Sequence, residues 1–120
     1  MIKIYTDGSS RGNPGPGGYG IVLLYKDNRK ELSQGYNLTT NNRMELLAVI
    51  KALEALNNNR IDITIYSDSK YVVESVERGW IWNWEKINFK KKQNSDLWKK
   101  FIPLYKKFKV KFEWVKGHSG

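Results

Sequence analysis

A mixed α/β sheet is the fold this sequence predicts, and three observations predict it. Three runs of strand character come first, separated only by turn residues. Helix, strand, helix, helix and strand patterns then follow, so the later strands join through helical crossovers. The 120 residues contain no internal repeat, linker or low-complexity tract, which suits a single domain over 1–120.

Each element has its own local signal. Ile2, Ile4 and Thr6 alternate with Lys3, Tyr5 and Asp7, giving a first strand with Asp7 near its end. Gly8 to Gly18 is turn-rich, and Tyr19 to Tyr25 reads as a second strand. Asp27 and Asn28 turn the chain into a third strand, Glu31 to Leu38, completing an antiparallel meander. The segment TTNNRMELLAVIKALEALNNN follows, with Thr40, Asn41 and Asn42 as N-capping candidates and apolar residues on nearly every face. A helix buried between other elements is expected there. IDITIYSD is an isoleucine-rich strand ending at Asp68, and SKYVVESVERG suits a short helix closed by Gly79. Asn94 to Lys107 looks helical, with Pro103 expected to kink or divide it, and Trp98 at core spacing with Phe101 and Ile102. Val110 to Val115 forms the last strand.

Charge is unevenly placed. Met1 to Glu85 carries ten Lys/Arg against ten Asp/Glu, whereas Lys86 to Gly120 carries eleven against two. The whole excess of +9 therefore sits in the last part of the chain, which points to a polyanion and to nucleic acid before membrane. WIWNWEKINFKKK sets Trp80, Trp82 and Trp84 beside lysines, offering flat apolar surfaces next to phosphate-seeking charge. No apolar run reaches the ~20 residues that a spanning helix needs. MIKIYTDG lacks a signal-peptide layout, and with zero cysteines a reducing, cytoplasmic setting is expected.

Two stretches compete for the chemistry. GPGGYG (Gly15 to Gly20) satisfies the G-x-G-x-x-G spacing of a dinucleotide loop, but a strand follows it rather than a helix. Pro14 and Pro16 also lack the N–H groups such a loop would use. Tight turning accounts for the glycines better. Asp7 and Asp68 end two strands, and Glu45 shares a helix face with Ala48, Val49 and Ala52, where an uncompensated carboxylate is costly. Singly, Glu45 reads as a helix-dipole partner and the aspartates as caps. Together, three carboxylates converging where strands meet a helix N-terminus suggest a divalent cation. All-oxygen ligands favour Mg²⁺ or Mn²⁺ over zinc.

TDGSSRGNPGPGGYG, TTNNRMEL, YSDSKYV, GWIWNW, NSDLW and WVKGHSG resemble, in order and spacing, the bacterial type 1 ribonuclease H family. The resemblance covers essentially the whole chain. It implies a ribonuclease H-like fold with a five-stranded mixed sheet and flanking helices. It also implies an endonuclease that cuts the RNA strand of RNA/DNA hybrids, leaving 3′-hydroxyl and 5′-phosphate ends. By motif, Asp7, Glu45 and Asp68 correspond to carboxylates holding two Mg²⁺ ions, or Mn²⁺ in their place, with Asp7 as the bridging ligand. His118 corresponds to a mobile histidine that aids catalysis or product release. Asn13 and Asn42, with backbone groups near Gly12 and Asn41, would read the RNA strand across the minor groove. Thr40 and Asn83 would hold a DNA-strand phosphate, Trp80 would pack against a deoxyribose, and Lys86, Lys90, Lys91 and Lys92 would track the backbone.

The family's pattern continues beyond GHSG through a loop into a helix bearing a fourth active-site carboxylate, and this sequence has no counterpart of them. Two expectations follow. The alternative to an efficient nuclease is a hybrid-binding module of weak catalysis, and the alternative to a monomer is self-association through the surface that helix would cover. Lys70 stands where many relatives carry glutamine, and Leu38 where some have a basic phosphate contact.

Overall fold

The computed structural model describes residues 1–57 and 60–117. Strands β1 (Ile2–Ser10), β2 (Gly15–Tyr25) and β3 (Asn28–Thr39) lead into helix α1 (Asn41–Glu54). Strand β4 (Asp62–Ser67), helices α2 (Lys70–Glu77), α3 (Trp80–Lys86) and α4 (Ser95–Lys107), and strand β5 (Lys109–Trp114) complete the order. They form one five-stranded sheet ordered β3-β2-β1-β4-β5. β1 pairs antiparallel with β2 and parallel with β4. β2 pairs antiparallel with β3, and β4 parallel with β5.

The period-two pattern decides which sheet face is buried. Ile2, Ile4, Ile21, Leu23, Ile63, Ile65 and Phe112 point into one core with the apolar faces of α1 and α4. Leu46, Ala48, Val49, Ala52 and Leu53 of α1 are fully buried there, as are Trp98 and Phe101 of α4. Lys3, Tyr5, Val22 and Tyr66 stand on the other face, where the rings of Tyr5 and Tyr66 stack 4.7 Å apart. Among the described residues no helix is long and apolar enough to cross a membrane.

Several boundaries differ from the sequence expectation. β1 runs past Asp7 to Ser10, so Asp7 lies inside a strand, paired with Gly20, rather than near an end. Most of the turn-rich Gly8 to Gly18 segment is therefore strand, and GPGGYG, expected to make a tight turn, instead opens β2. Glycine is needed here for close approach. A Cβ on Gly8 would lie 2.5 Å from the Met44 carbonyl carbon and 2.6 Å from the Glu45 nitrogen. α1 starts after the N-capping candidate Thr40 and stops at Glu54, capped at Ala55, within the segment expected to hold a helix; Asn58 and Asn59 lie outside the described residues. Pro103 sits inside α4 without dividing it, its ring on the exposed side. The Trp/Lys segment, left unassigned from sequence, contains α3. Helical spacing there turns Trp82 against Tyr105 and Trp84 against Trp98, leaving only Trp80 of the three exposed.

Long-range polar contacts fix the helices to one another. Arg43 of α1 forks onto Asp96 at 3.0 and 2.8 Å, and its Nη1 also donates to Asn94 Oδ1 at 3.2 Å. The pair holds the Arg43 guanidinium above and the Asp96 carboxyl below their ordinary values, chiefly through that hydrogen bonding. Tyr71 Oη accepts from both Trp98 Nε1 at 2.8 Å and Asn94 Nδ2 at 3.1 Å.

Gly8→Ala forces β1 and α1 apart. Its urea midpoint should fall, corresponding to a loss of about 1–3 kcal/mol with an unchanged denaturant slope; an unaltered midpoint would show that the close approach is not required.

Candidate active site

Sheet register creates the site. Tyr5 is paired with Tyr66 across the parallel β1–β4 ladder, so Asp68, two residues beyond Tyr66, arrives beside Asp7. α1 supplies the third carboxylate. Thr40 caps the helix by accepting from the Arg43 N–H at 3.2 Å, and Glu45 follows within the first turns. Because Gly8 admits the α1 backbone so closely, Glu45 reaches the same point from above the sheet. One oxygen from each of Asp7, Glu45 and Asp68 can be chosen so that all lie within 4.8 Å of one another.

The electrostatics of this cluster are severe. Glu45 is only 7% exposed. Its carboxyl is pushed up to about 9, first by burial, then by hydrogen bonding to and the charge of Asp68, then by the charge of Asp7; a hydrogen bond from the Gly8 backbone opposes the shift. Glu45 Oε1 and Asp68 Oδ1 are buried atoms with no hydrogen-bond partner among the described residues. A hard cation would satisfy both orphaned oxygens and offset the repulsion, so the donor set fits a divalent metal.

Residues after β5 close one side. Val115 N donates to Ser67 O at 2.9 Å, and Trp114 Nε1 donates to Asp68 O at 3.2 Å. Gly117 then passes so near that a Cβ would sit 2.8 Å from Asp68 Oδ2. His118 is the next residue and lies outside the described residues.

Asn13, Thr40, Asn41 and Asn42 are brought together, lining a groove of about 550 Å³ with Gln93 and Asn94. The Asn13 side chain accepts from Asn41 N at 2.9 Å, and Asn41 Oδ1 accepts from Ser10 N at 2.6 Å. Gly12 sits in the same bend with φ 95°, its carbonyl accepting from Ser10 Oγ at 2.6 Å. Asn41 and Asn42 also line a smaller cavity of about 270 Å³ with Glu45, Asp68 and Lys70, so the same two asparagines border both the groove and the carboxylates. Trp80 and Asn83 lie on α3, outside the linings of both cavities, and both are exposed. Lys86 ends α3; Lys90, Lys91 and Lys92 follow in an exposed bend that Phe89, 5% exposed, anchors to the core. Gln93 and Asn94 complete the groove's lining without any local pattern that marks them as site residues.

The RNase H family profile matches residues 1–120. The chain belongs to the RNase H family. It is 52% identical to the ribonuclease H of Syntrophus aciditrophicus (strain SB), across 99% of this chain and 71% of that protein. It is 51% identical to the ribonuclease HI of Helicobacter pylori (strain J99 / ATCC 700824), across 99% of this chain and 82% of that one. Relatives of this kind make it a type 1 member. The fold is similar to the crystal structure of LC9-RNase H1, described as a type 1 RNase H with the type 2 active-site motif. That likeness has a TM-score of 0.86 at 31% identity, over 99% of this chain and 64% of that one. A second neighbour is LC11-RNase H1 in complex with an RNA/DNA hybrid, with a TM-score of 0.72 at 28% identity over 97% of this chain and 86% of that one.

The Glu45 shift has a definite sign. The folded state holds this proton more tightly than the unfolded chain, whose ordinary value is 4.5. Its stabilising contribution is complete below 4.5 and is lost as pH rises towards about 9. In chelator, the melting temperature of the wild type should fall across that window, while Glu45→Gln should flatten this component; equal slopes for the two would refute the assignment.

Proposed function

We propose that this chain is a divalent-metal-dependent endonuclease that hydrolyses the RNA strand of RNA/DNA hybrids, leaving 3′-hydroxyl and 5′-phosphate ends. The observation that carries this reading is the convergence of Asp7, Glu45 and Asp68, two of them with buried unpartnered oxygens, in a member of the RNase H family. The hybrid bound to LC11-RNase H1 supports the choice of substrate.

Asp7, Glu45 and Asp68 would hold two Mg²⁺ ions, with Mn²⁺ as a substitute and Asp7 shared between them. When bound, these ions supply activation of a water for in-line attack and stabilisation of the leaving 3′-oxygen. The chain's own residues do the rest. Asn13, Asn41 and Asn42, with the backbone at Gly12, present donors and acceptors to a ribose 2′-hydroxyl along the groove. Thr40 keeps its hydroxyl proton free for a phosphate while its oxygen caps α1. Trp80 offers an exposed indole to a sugar without a 2′-hydroxyl, and Asn83 lies near it on the same helix. Lys86, Lys90, Lys91 and Lys92 attract the duplex backbone through an electrostatic, salt-sensitive contribution. Gly117 passes beside Asp68, and His118, the next residue in sequence, would aid catalysis or product release. Residues 1–120 act as one domain and as a monomer, and the cysteine-free chain suits the reducing cytoplasm.

Asp7→Asn tests this reading. With Mg²⁺ or Mn²⁺, the wild type should cleave labelled RNA in a hybrid and spare single-stranded RNA and duplex DNA. The variant should lose at least about 100-fold in rate. Hybrid binding should be as tight or tighter, because a negative charge facing a polyanion is removed. Tight binding by the wild type without cleavage would favour a hybrid-binding module instead.

A further inference from the structure

The small cavity that reaches the carboxylates has one cation in its wall. Lys70 opens α2 two residues after Asp68 and lines that cavity together with Glu45, Asp68, Asn41 and Asn42. Its ammonium nonetheless rests on a ring: Nζ lies 5.1 Å from the centroid of Trp114. Trp114 is itself fixed, because it ends β5 beside Ser67 and its Nε1 donates to the Asp68 carbonyl. One indole therefore ties together the backbone of a carboxylate-bearing residue and the position of a neighbouring positive charge.

The seat matters because of what it leaves unspent. A carboxylate partner would neutralise the ammonium, whereas an aromatic face attracts it and leaves its full charge and donors available to an anion. The indole also limits the rotamers of a side chain that is otherwise among the most mobile, which lowers the ordering cost of a contact. An acidic cluster repels the phosphates on either side of the one it acts on, and a cation held beside it offsets that repulsion.

We propose that Lys70, seated on Trp114, binds a phosphodiester of the cleaved strand next to the one at the carboxylate cluster. The proposal rests on the nuclease reading for the path of that strand, and it adds a charge contact to it. Lys70 touches substrate, and Trp114 is a positioning residue.

The test is binding of a short RNA/DNA hybrid in chelator, measured over a range of salt for wild type, Lys70→Gln, Lys70→Arg, Trp114→Leu and Trp114→Phe. Lys70→Gln should bind roughly threefold to tenfold more weakly, with a slope of log affinity on log salt shallower by about one. Lys70→Arg should restore both. Trp114→Leu should weaken binding in the same direction, and adding it to Lys70→Gln should cost nothing further; Trp114→Phe, which keeps a ring under the ammonium but loses the Nε1 donor, should fall between wild type and Trp114→Leu. An uncharged methylphosphonate placed singly along the RNA should have one position, beside the scissile phosphate, that weakens the wild type but not Lys70→Gln. An unchanged salt slope in Lys70→Gln, or the absence of such a position, overturns the proposal. Because these readouts need no metal, a wild type that binds but fails to cleave would sink the nuclease reading and still leave Lys70 decided.

Discussion

A carboxylate buried like Glu45, beside a second carboxylate, has two states of tolerable energy: it keeps its proton, or it ionises against a cation. The fold gives it no third choice. Glu45 lies on the α1 face that also carries Ala48 and Val49, both fully buried, so the helix cannot turn it outward without exposing core. Gly8 then draws the helix onto β1, and the parallel register of β1 and β4 carries Asp68 to the same point. The packing that stabilises the sheet is thus the packing that crowds the acids. Stability and metal affinity are opposed through one side chain, and a metal-free protein is at its weakest where that side chain would have to ionise alone.

Rigidity around the cluster has a different origin. The rim of the groove is held by polar links between residues far apart in sequence: Asn13 with Asn41, Asn41 with Ser10, Arg43 with Asp96, and Tyr71 with Asn94 and Trp98. Arg43 follows the groove's asparagines directly, and Tyr71 follows Asp68 by three residues. The two halves of the site are therefore pinned through α4, which contributes no carboxylate to the cluster. Fork-shaped pairing by Arg43 sets direction as well as distance, which a lysine could not do.

Legibility in the sequence followed the range of the interaction. Period-two alternation marked β1, isoleucine-rich composition marked β4, and turn residues marked the meander, because those signals are local. Asp7, Glu45 and Asp68 could be singled out because each is a charged residue where local pattern demands burial or a strand end. The groove residues came through resemblance, not pattern. What escaped was set by tertiary contact. β1 continues past Asp7 because Gly8 lies against α1 while Ser9 and Ser10 pair with Gly18 and Gly17 of β2, a reason that no local window contains. α3 was hidden by its own tryptophans, which read as surface until helical spacing turned Trp82 and Trp84 inward. The Arg43–Asp96 fork joins residues fifty-three apart and left no periodic trace.

That inward turn changes how affinity should be understood. Two of the three indoles that promised flat surfaces for a nucleic acid are packed against the core, so of those three only Trp80 still offers an exposed ring. Each instead carries a cation over its ring: Lys106 lies 5.7 Å from Trp82 and Lys92 lies 5.4 Å from Trp84. Arg78 lies 5.8 Å from Trp80, in the same relation as Lys70 to Trp114. Four of the five tryptophans thus hold a cation, and the fifth, Trp98, is fully buried. Where Glu85 or Glu74 also stands within 3.8 Å, as for Lys106 and Arg78, part of that charge is already answered. Lys92 and Lys70 combine a ring seat with a place on the proposed substrate path. Aromatic content in this chain therefore acts less as a surface for bases than as a frame that orders positive charge around an acidic centre.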